Sequence, residues 1–119
     1  MTSLLENLPI LEFETSELLR AWLEKNHATS KGIWLRIYKK QSGVRSVAFE
    51  QVLDEGLCFG WSESARRSYD HHSYLQKFTP RKTVGTQSAR NIDRAKGLIE
   101  QGKMKPAGLT ALGLDKEKP

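Results

Sequence analysis

Cysteine is nearly absent from this sequence, and long apolar runs are absent altogether. Cys58 is the single cysteine among 119 residues, so no internal disulfide can form, and no Cys/His spacing typical of zinc sites occurs. No apolar stretch approaches the roughly 20 residues that a membrane-spanning helix needs. The N-terminal segment lacks the basic start and continuous apolar centre of a signal peptide. These absences predict a cytoplasmic protein without membrane insertion, in which Cys58 is a small buried core residue.

Charge is distributed unevenly along the chain. Residues 1–55 hold seven Lys/Arg and eight Asp/Glu, whereas residues 66–105 hold ten Lys/Arg and three Asp/Glu. The formal net charge of +5 is therefore concentrated in the second half. A cationic surface favours anionic partners such as phosphorylated small molecules, nucleic acid or acidic proteins. The alternative is a solvated basic surface that only aids solubility.

Hydrophobic periodicity and turn residues predict an α+β fold in one small domain. The expected helices are a first behind Thr15 or Ser16, a second over 47–58 capped by Ser46, a third from Thr86 or Ser88 to about Gln101, and a short fourth from Pro106. Residues 33–38 alternate as a strand, and residues 60–69 and 74–80 form an antiparallel hairpin. The architecture expected is an antiparallel sheet of about three strands packed with three to four helices.

The domain limits follow from the same pattern. Residues 1–12 are predicted to be an N-terminal extension, residues 13–114 the domain, and residues 115–119 a flexible tail. Along the first hairpin strand, strict alternation assigns Trp61, Glu63 and Arg67 to one face and Arg66 to the other.

The hairpin and the third helix carry a candidate anion-binding site. Guanidinium forks, hydroxyls and the free N–H groups of a helix start are the groups that bind phosphate or carboxylate. Trp61 and Tyr74 would add a flat wall for a ring, and Pro80 stiffens the approach of Arg81. The predicted ligand-binding set is Trp61, Glu63, Arg67, Tyr74, Arg81, Lys82, Ser88 and Asn91. The alternative is that the arginines form surface salt bridges and the aromatic residues pack in the core.

Patterns that would indicate catalysis or a cofactor are missing. His71 and His72 are adjacent in a predicted turn, without a third ligand nearby for a metal. The sequence contains no Gly-x-Ser-x-Gly, Walker A or Gly-x-Gly-x-x-Gly pattern. Glu63 is expected to pair with Arg67 rather than to act as a general base. We therefore expect no metal and no cofactor, and a non-enzymatic role is favoured over an enzymatic one.

Three segments carry a family resemblance. The strings CFGW at 58–61, FTPRK at 78–82 and GKM-P-G at 102–108, in this order and spacing, resemble the YdeI/OmpD-associated family, also called bacteriocin-protection proteins. The similarity spans about residues 13–112. It implies a small bacterial α+β accessory or stress-resistance protein, and it supports Arg67, Arg81, Ser88 and Asn91 as site residues. The chain departs from the family pattern at Ser62-Glu63, where an Ile-Asp pair is usual, and at Gln87, where a Trp is usual.

Three functional hypotheses remain open at this level. The first is a binding domain for a small anionic or phosphorylated ligand. The second is a nucleic-acid-binding domain that stacks bases on Trp61, Tyr69, Tyr74 and Phe78 of its basic half. The third is a protein–protein adaptor, which an exposed patch containing Trp34 and Tyr38 would support. The oligomeric state is left open.

Overall fold

The computed structural model describes residues 8–81 and 89–114 of the chain. These residues form a single α+β domain, which confirms the predicted fold class. In chain order the elements are β1 (Ile10–Glu12), α1 (Ser16–Asn26), β2 (Ile33–Tyr38), α2 (Phe49–Phe59), β3 (Trp61–Ser68), β4 (Ser73–Pro80), α3 (Ala89–Glu100) and α4 (Pro106–Leu112). A 3-10 turn, Lys40–Ser42, follows β2.

The sheet has four strands in the order β1-β2-β4-β3 and is mixed rather than purely antiparallel. Strands β3 and β4 form the predicted antiparallel hairpin, and β2 also pairs antiparallel with β4. Strand β1 instead pairs parallel to β2, with Ile10 opposite Trp34. The prediction of about three antiparallel strands is therefore corrected. The added strand has only three residues, which is too short for alternation to become visible in the sequence. It lies within the segment that the sequence assigns to an N-terminal extension.

Local signals set the helix ends. Thr15 caps α1, because its hydroxyl accepts a hydrogen bond from the backbone N–H of Leu18 at 3.2 Å. The predicted cap of α2 is corrected. The helix starts at Phe49, and its preceding backbone N–H, on Ala48, donates to Gln51 Oε1 at 2.9 Å. Ser46 instead accepts a hydrogen bond from the backbone of β2, so its hydroxyl is not available to the helix.

All four helices contribute to one core on a single face of the sheet, which we call the inner face. Paired residues on neighbouring strands share a face, so the register assigns each side chain to the inner or the outer face. The inner face carries Ile33, Leu35 and Ile37 of β2 together with Phe78 of β4. Cys58 is free and buried in this core, as predicted.

The helical layer is packed closely enough that glycine is required at one crossing. Gly108 of α4 lies against the C-terminal end of α2, and a Cβ atom added there would overlap the backbone carbonyl oxygens of Leu57 and Cys58. These are main-chain atoms, which cannot move aside as a flexible side chain can. Within the described ranges, no helix is both long enough and apolar enough to span a bilayer.

Candidate functional site

A bulge in β3 determines which hairpin side chains face away from the helices. Glu63 pairs with Phe78, whereas Arg66 pairs with Gln76, so three steps along β3 match two steps along β4. The extra residue shifts the alternation by one position. Arg66 therefore lies on the inner-face side with Glu63, and Arg67 lies on the outer face. This corrects the strict alternation predicted from the sequence, which exchanges the two arginines.

Arg66 and the bulge are held by inner-face neighbours. The guanidinium carbon of Arg66 lies 4.4 Å from the ring centre of Tyr74 and 5.0 Å from that of Phe49. Gln76 is only 2% exposed, and its Nε2 donates to the carbonyl oxygen of Ala65 inside the bulge at 3.0 Å. Tyr74 is thus already stacked against a cation of the same protein.

The outer face contains a closed network around Arg36, which we call the Arg36 network. Its Nε donates to Ser73 Oγ at 2.9 Å, and its terminal nitrogens donate to Asp70 at 2.8 Å and Glu12 at 3.3 Å. The guanidinium also lies over the rings of Tyr38 and Tyr69. Because carboxylates, a hydroxyl and two rings surround this cation, the network stabilises the sheet rather than offering a binding site.

The hydrogen bonds around Asp70 keep that carboxyl charged. Ser73 Oγ donates to Asp70 Oδ1 at 2.8 Å, and the backbone N–H of His72 donates to the same oxygen at 2.9 Å. The Ser73 hydroxyl, the His72 backbone N–H and the Arg36 charge together lower the pKa of Asp70 below its ordinary value. His72 therefore acts through its backbone within the hairpin turn.

A larger opening lies on the outer face at the other end of the hairpin, and we call it the Arg81 concavity. It encloses about 690 Å³. Among the described residues it is lined by three cations, three hydroxyls and two apolar side chains: Lys31, Lys77, Arg81, Ser62, Ser64, Thr79, Leu8 and Pro80. The register explains the meeting of these segments, because Ser62 pairs with Thr79 and Lys77 pairs with Trp34.

Arg81 is the distinctive group of this concavity. Its backbone N–H donates to the carbonyl oxygen of Gly60 at 2.9 Å, which fixes the chain directly after β4. Its Nε is buried and has no hydrogen-bond partner, the only such side-chain atom in the described part of the chain. Burial lowers the pKa of Arg81, and the charge of Glu63 acts in the opposite direction. A buried donor without an acceptor is unusual and costly in a folded protein.

A second, smaller concavity lies at the closed end of the hairpin. It encloses about 390 Å³ and includes Arg67. Its described lining residues are Lys39, Arg66, Arg67, Ser68, Asp70, Ser73 and Tyr74. Arg67 is exposed there on the outer face, so it does not converge with Arg81 in a single opening.

Two members of the predicted site belong to the inner side. Trp61 is 1% exposed and packs edge-on against Trp22, with ring centres 5.8 Å apart, and against Phe78 at 5.0 Å. Its indole therefore fills the core and cannot form a wall for a ligand ring, because no free face remains. Glu63 is partly buried on the same side of β3, and Arg81 is the cation that its charge influences.

The remaining predicted residues are positioned as follows. Asn91 lies in the first turn of α3, a helix that packs against α2, and it already takes part in an interaction. Lys82 and Ser88 lie outside the described residues. Of the predicted set, the structure therefore brings Arg81 to the larger concavity, Arg67 and Tyr74 to the smaller one, and Trp61 to the core.

The sequence prediction missed the partners of Arg81 in its concavity. Lys31 precedes β2, Lys77 lies in the middle of β4, and Ser62 and Thr79 face each other across the hairpin. The alternation of β4 already assigns Lys77 and Thr79 to one face, which is a signal the sequence contains. The proximity of Lys31 depends on the pairing of β2 with β4, which no local pattern specifies.

One partly buried ion pair joins α1 to α2, away from both concavities. Arg20 donates to Glu55 Oε1 at 2.9 Å and to the carbonyl oxygen of Lys103 at 2.6 Å. Burial raises the pKa of Glu55 although Arg20 opposes the shift, and burial likewise raises the pKa of Cys58. A buried thiol with a raised pKa is a poor nucleophile, so this cluster ties helices together.

The described residues contain no group of three or more His, Cys, Asp or Glu side chains that could hold a metal ion. The adaptor hypothesis loses the patch that would have supported it, because Trp34 is 1% exposed. Of the aromatic residues considered for base stacking, Trp61 and Phe78 are in the core, whereas Tyr69 is 48% exposed.

Comparison with known proteins gives a family but no activity. Residues 11–111 match the model of a family described as "Domain of unknown function (DUF8412)". No curated protein and no solved structure matches the chain. These comparisons supply no link to the YdeI/OmpD-associated family, so that resemblance stays a prediction.

Proposed function

The chain belongs to the DUF8412 domain family, and we propose that it is a non-enzymatic binding protein whose Arg81 concavity holds a small anionic or phosphorylated ligand. A location in the cytoplasm and a bacterial accessory or stress-resistance role, as the YdeI/OmpD resemblance implies, are parts of the same proposal.

The observation that carries this proposal is the buried Nε of Arg81 without a partner. A buried donor of this kind costs free energy that a bound acceptor oxygen would recover. Guanidinium groups form short, charge-assisted hydrogen bonds with phosphate and carboxylate oxygens, often in pairs. An anion in the concavity would therefore complete the one side-chain group that the described fold leaves incomplete.

The other lining residues match the same ligand chemistry. Lys31 and Lys77 add positive charge, and the hydroxyls of Ser62, Ser64 and Thr79 can donate to further oxygens. Leu8 and Pro80 give an apolar rim that can contact a carbon skeleton. A volume of about 690 Å³ is in the range of metabolite-sized sites, which extends from roughly 300 to 1,000 Å³.

The described lining supports binding rather than catalysis. It contains no carboxylate, histidine or cysteine, which are the groups that most often act as general bases or nucleophiles. Serine and threonine hydroxyls need such a base to become nucleophilic. We therefore expect the ligand to leave the protein chemically unchanged.

The test is a titration calorimetry series with inorganic phosphate, a sugar phosphate and citrate, on wild-type protein and on Arg81→Ala. Loss of a hydrogen bond to a charged group costs about 1.5 to 3 kcal/mol, so Arg81→Ala should weaken binding roughly 10- to 100-fold. Arg45→Ala removes an exposed arginine that lines neither concavity and should leave affinity unchanged.

Three outcomes decide the proposal. A selective loss in Arg81→Ala, with circular dichroism matching wild type, supports it. Equal affinity in Arg81→Ala and wild type overturns it, as does the absence of any anion binding by the wild-type protein. Arg81→Lys keeps the positive charge but loses the paired N–H donors of the guanidinium group. An affinity between those of wild type and Arg81→Ala would show how much of the binding comes from charge and how much from hydrogen bonding.

A further inference from the structure

We infer that the outer face of the β3–β4 hairpin binds single-stranded nucleic acid that carries a terminal phosphate. The terminal phosphate enters the Arg81 concavity, and the strand continues along the hairpin to the smaller concavity at Arg67. This inference rests on the proposed function for its first contact and extends it from a small ligand to a polymer.

The two concavities lie at opposite ends of one hairpin. Thr79 lines the larger and Ser73 the smaller, and both belong to β4. Six residue steps along an extended strand span about 20 Å, which is the length of several nucleotides. A ligand that reaches both concavities is therefore an extended chain rather than a single metabolite.

Cations mark the path between these ends. Lys77 and Arg67 both lie on the outer face, because Lys77 pairs with Trp34 and Arg67 pairs with Leu75. Lys31 stands at one end and Lys39 at the other. The bulge is what turns Arg67 to this face, so the β3 irregularity completes the cationic path.

Two acidic groups that the structure describes on this face, Glu12 and Asp70, are already engaged. Glu12 and Asp70 both accept hydrogen bonds from Arg36, whose charge offsets one of theirs. Over the residues that the structure describes, the cations of the two concavities therefore outnumber these acidic groups. Such an excess along a groove is the feature by which proteins follow the backbone of a single strand.

The far end of the path carries an aromatic ring of the Arg36 network that is still half exposed, and its exposed part is where a base could make contact. Tyr69 is 48% exposed and holds Arg36 against its ring at 4.9 Å. Base stacking on an exposed aromatic side chain adds affinity without requiring a specific sequence. A single strand is favoured over a duplex because its unpaired bases are free to stack on such a ring.

A terminal phosphate fits the Arg81 concavity better than an internal one. An internal phosphodiester carries a substituent on each side and one negative charge, whereas a terminal phosphate carries close to two charges at neutral pH. The chemistry at Arg81 does not distinguish a 5′ from a 3′ terminal phosphate, so the experiment includes both.

The experiment measures fluorescence anisotropy of labelled single strands of about eight nucleotides, a length within the range that single-strand-binding domains cover. Strands ending in a 5′ phosphate, a 3′ phosphate or hydroxyls only are compared in DNA and RNA. We expect at least one phosphorylated strand to bind about 10-fold more tightly than the hydroxyl-ended strand, because it gains a charge-assisted contact. Arg81→Ala should abolish this difference.

The second concavity is tested with the double variant Arg67→Ala/Lys39→Ala. Both side chains are exposed, so the fold should be retained. This variant should weaken all strands by a similar factor and reduce the slope of log affinity against log salt by about 0.7 for each lost phosphate contact. The matched control, Arg45→Ala/Lys25→Ala, removes two exposed cations outside both concavities and should leave the slope unchanged.

The outcomes separate this inference from the proposed function. If small phosphates bind through Arg81 but strands bind no more tightly, the inference is overturned and the proposed function stands. If no anion binds, both fall. Equal binding of polyglutamate and nucleic acid, or strand affinity unaffected by Arg67→Ala/Lys39→Ala, also overturns the inference, because charge alone or another surface would then explain the data.

Discussion

The inner and outer faces of the sheet differ in how completely their space and polar groups are used. On the inner side, α4 meets α2 so closely that Gly108 has no room for a methyl group. On the outer side, a concavity of about 690 Å³ stays open and the Nε of Arg81 has no partner. The inner face therefore holds the tightest packing, and the outer face retains at Arg81 the unsatisfied chemistry that a ligand can use.

The outer face repeats this contrast on a smaller scale. Arg36 is surrounded by acceptors and rings, whereas Arg81 is partly buried beside other cations. A buried charge without a full set of partners usually lowers stability, and such positions concentrate at functional sites. If this division is correct, substitutions in the inner-face packing should lower stability without abolishing binding. Substitution of Arg81 should abolish binding without lowering stability.

The largest effect is expected where the inner face is tightest. Gly108→Ala should lower the free energy of unfolding by at least about 2 kcal/mol, because the new methyl group overlaps backbone oxygens of α2. The measurement is urea denaturation. Gly97→Ala is the matched control, since Gly97 is a helical glycine with no atom within 4 Å of an added Cβ. It should raise stability by up to about 1 kcal/mol through helix propensity.

An unchanged unfolding midpoint in Gly108→Ala would show that α4 can shift away from α2. The close crossing would then contribute little to the free energy of unfolding. The inner face could no longer be described as the tightly packed side of the sheet. Ligand binding by the variant should persist wherever it remains folded, because Gly108 does not line the Arg81 concavity.

Substitutions of two arginines on the outer face should change stability by a smaller amount and in opposite directions. Arg81→Met keeps the apolar stem and removes the buried donor, so stability should rise by about 1 kcal/mol while anion binding is lost. Arg36→Met should instead lower the melting temperature, because Asp70, Glu12 and Ser73 lose their donor. Thermal unfolding of both variants, with wild type alongside, gives the comparison. Destabilisation by Arg81→Met would mean that Arg81 is a structural residue like Arg36.

The helices and longer strands could be predicted from the sequence because their signals are local. Thr15 as a cap and Pro106 at a helix start both have the predicted roles. The three residues of β1 carry no readable period, and their pairing with β2 depends on tertiary packing.

The site was predictable only in part, for two physical reasons. Alternation treats each residue as one step, so the inserted residue of the β3 bulge reverses the assignments of Arg66 and Arg67. The indole of Trp61 follows an apolar run, and burial of so large an apolar surface is more favourable than exposing it to a ligand. Arg81 was identified, whereas Lys31 reaches it only through the pairing of β2 with β4.

The smallest effect is a pH dependence of stability that originates in the Arg36 network. The Ser73 hydroxyl, the His72 backbone and Arg36 lower the pKa of Asp70 in the folded protein. A carboxyl with a depressed folded pKa contributes stability above its unfolded pKa of about 3.9, and this contribution is lost as the pH falls through the folded pKa.

Asp70→Asn lacks this titration, so its free energy of unfolding should be lower than that of wild type at neutral pH. The free energies of unfolding of the two proteins should converge in acid below about pH 4. Urea unfolding at a series of pH values measures the difference, and Asp93→Asn, which removes an exposed carboxylate of α3, is the control for the loss of one negative charge. A stability gap between Asp70→Asn and wild type that stays constant down to acid would mean that this carboxylate acts through hydrogen-bond geometry alone. The charge of Asp70 would then not stabilise the Arg36 network. Arg36 and Arg81 would differ in the geometry of their hydrogen bonds and not in their electrostatic environment.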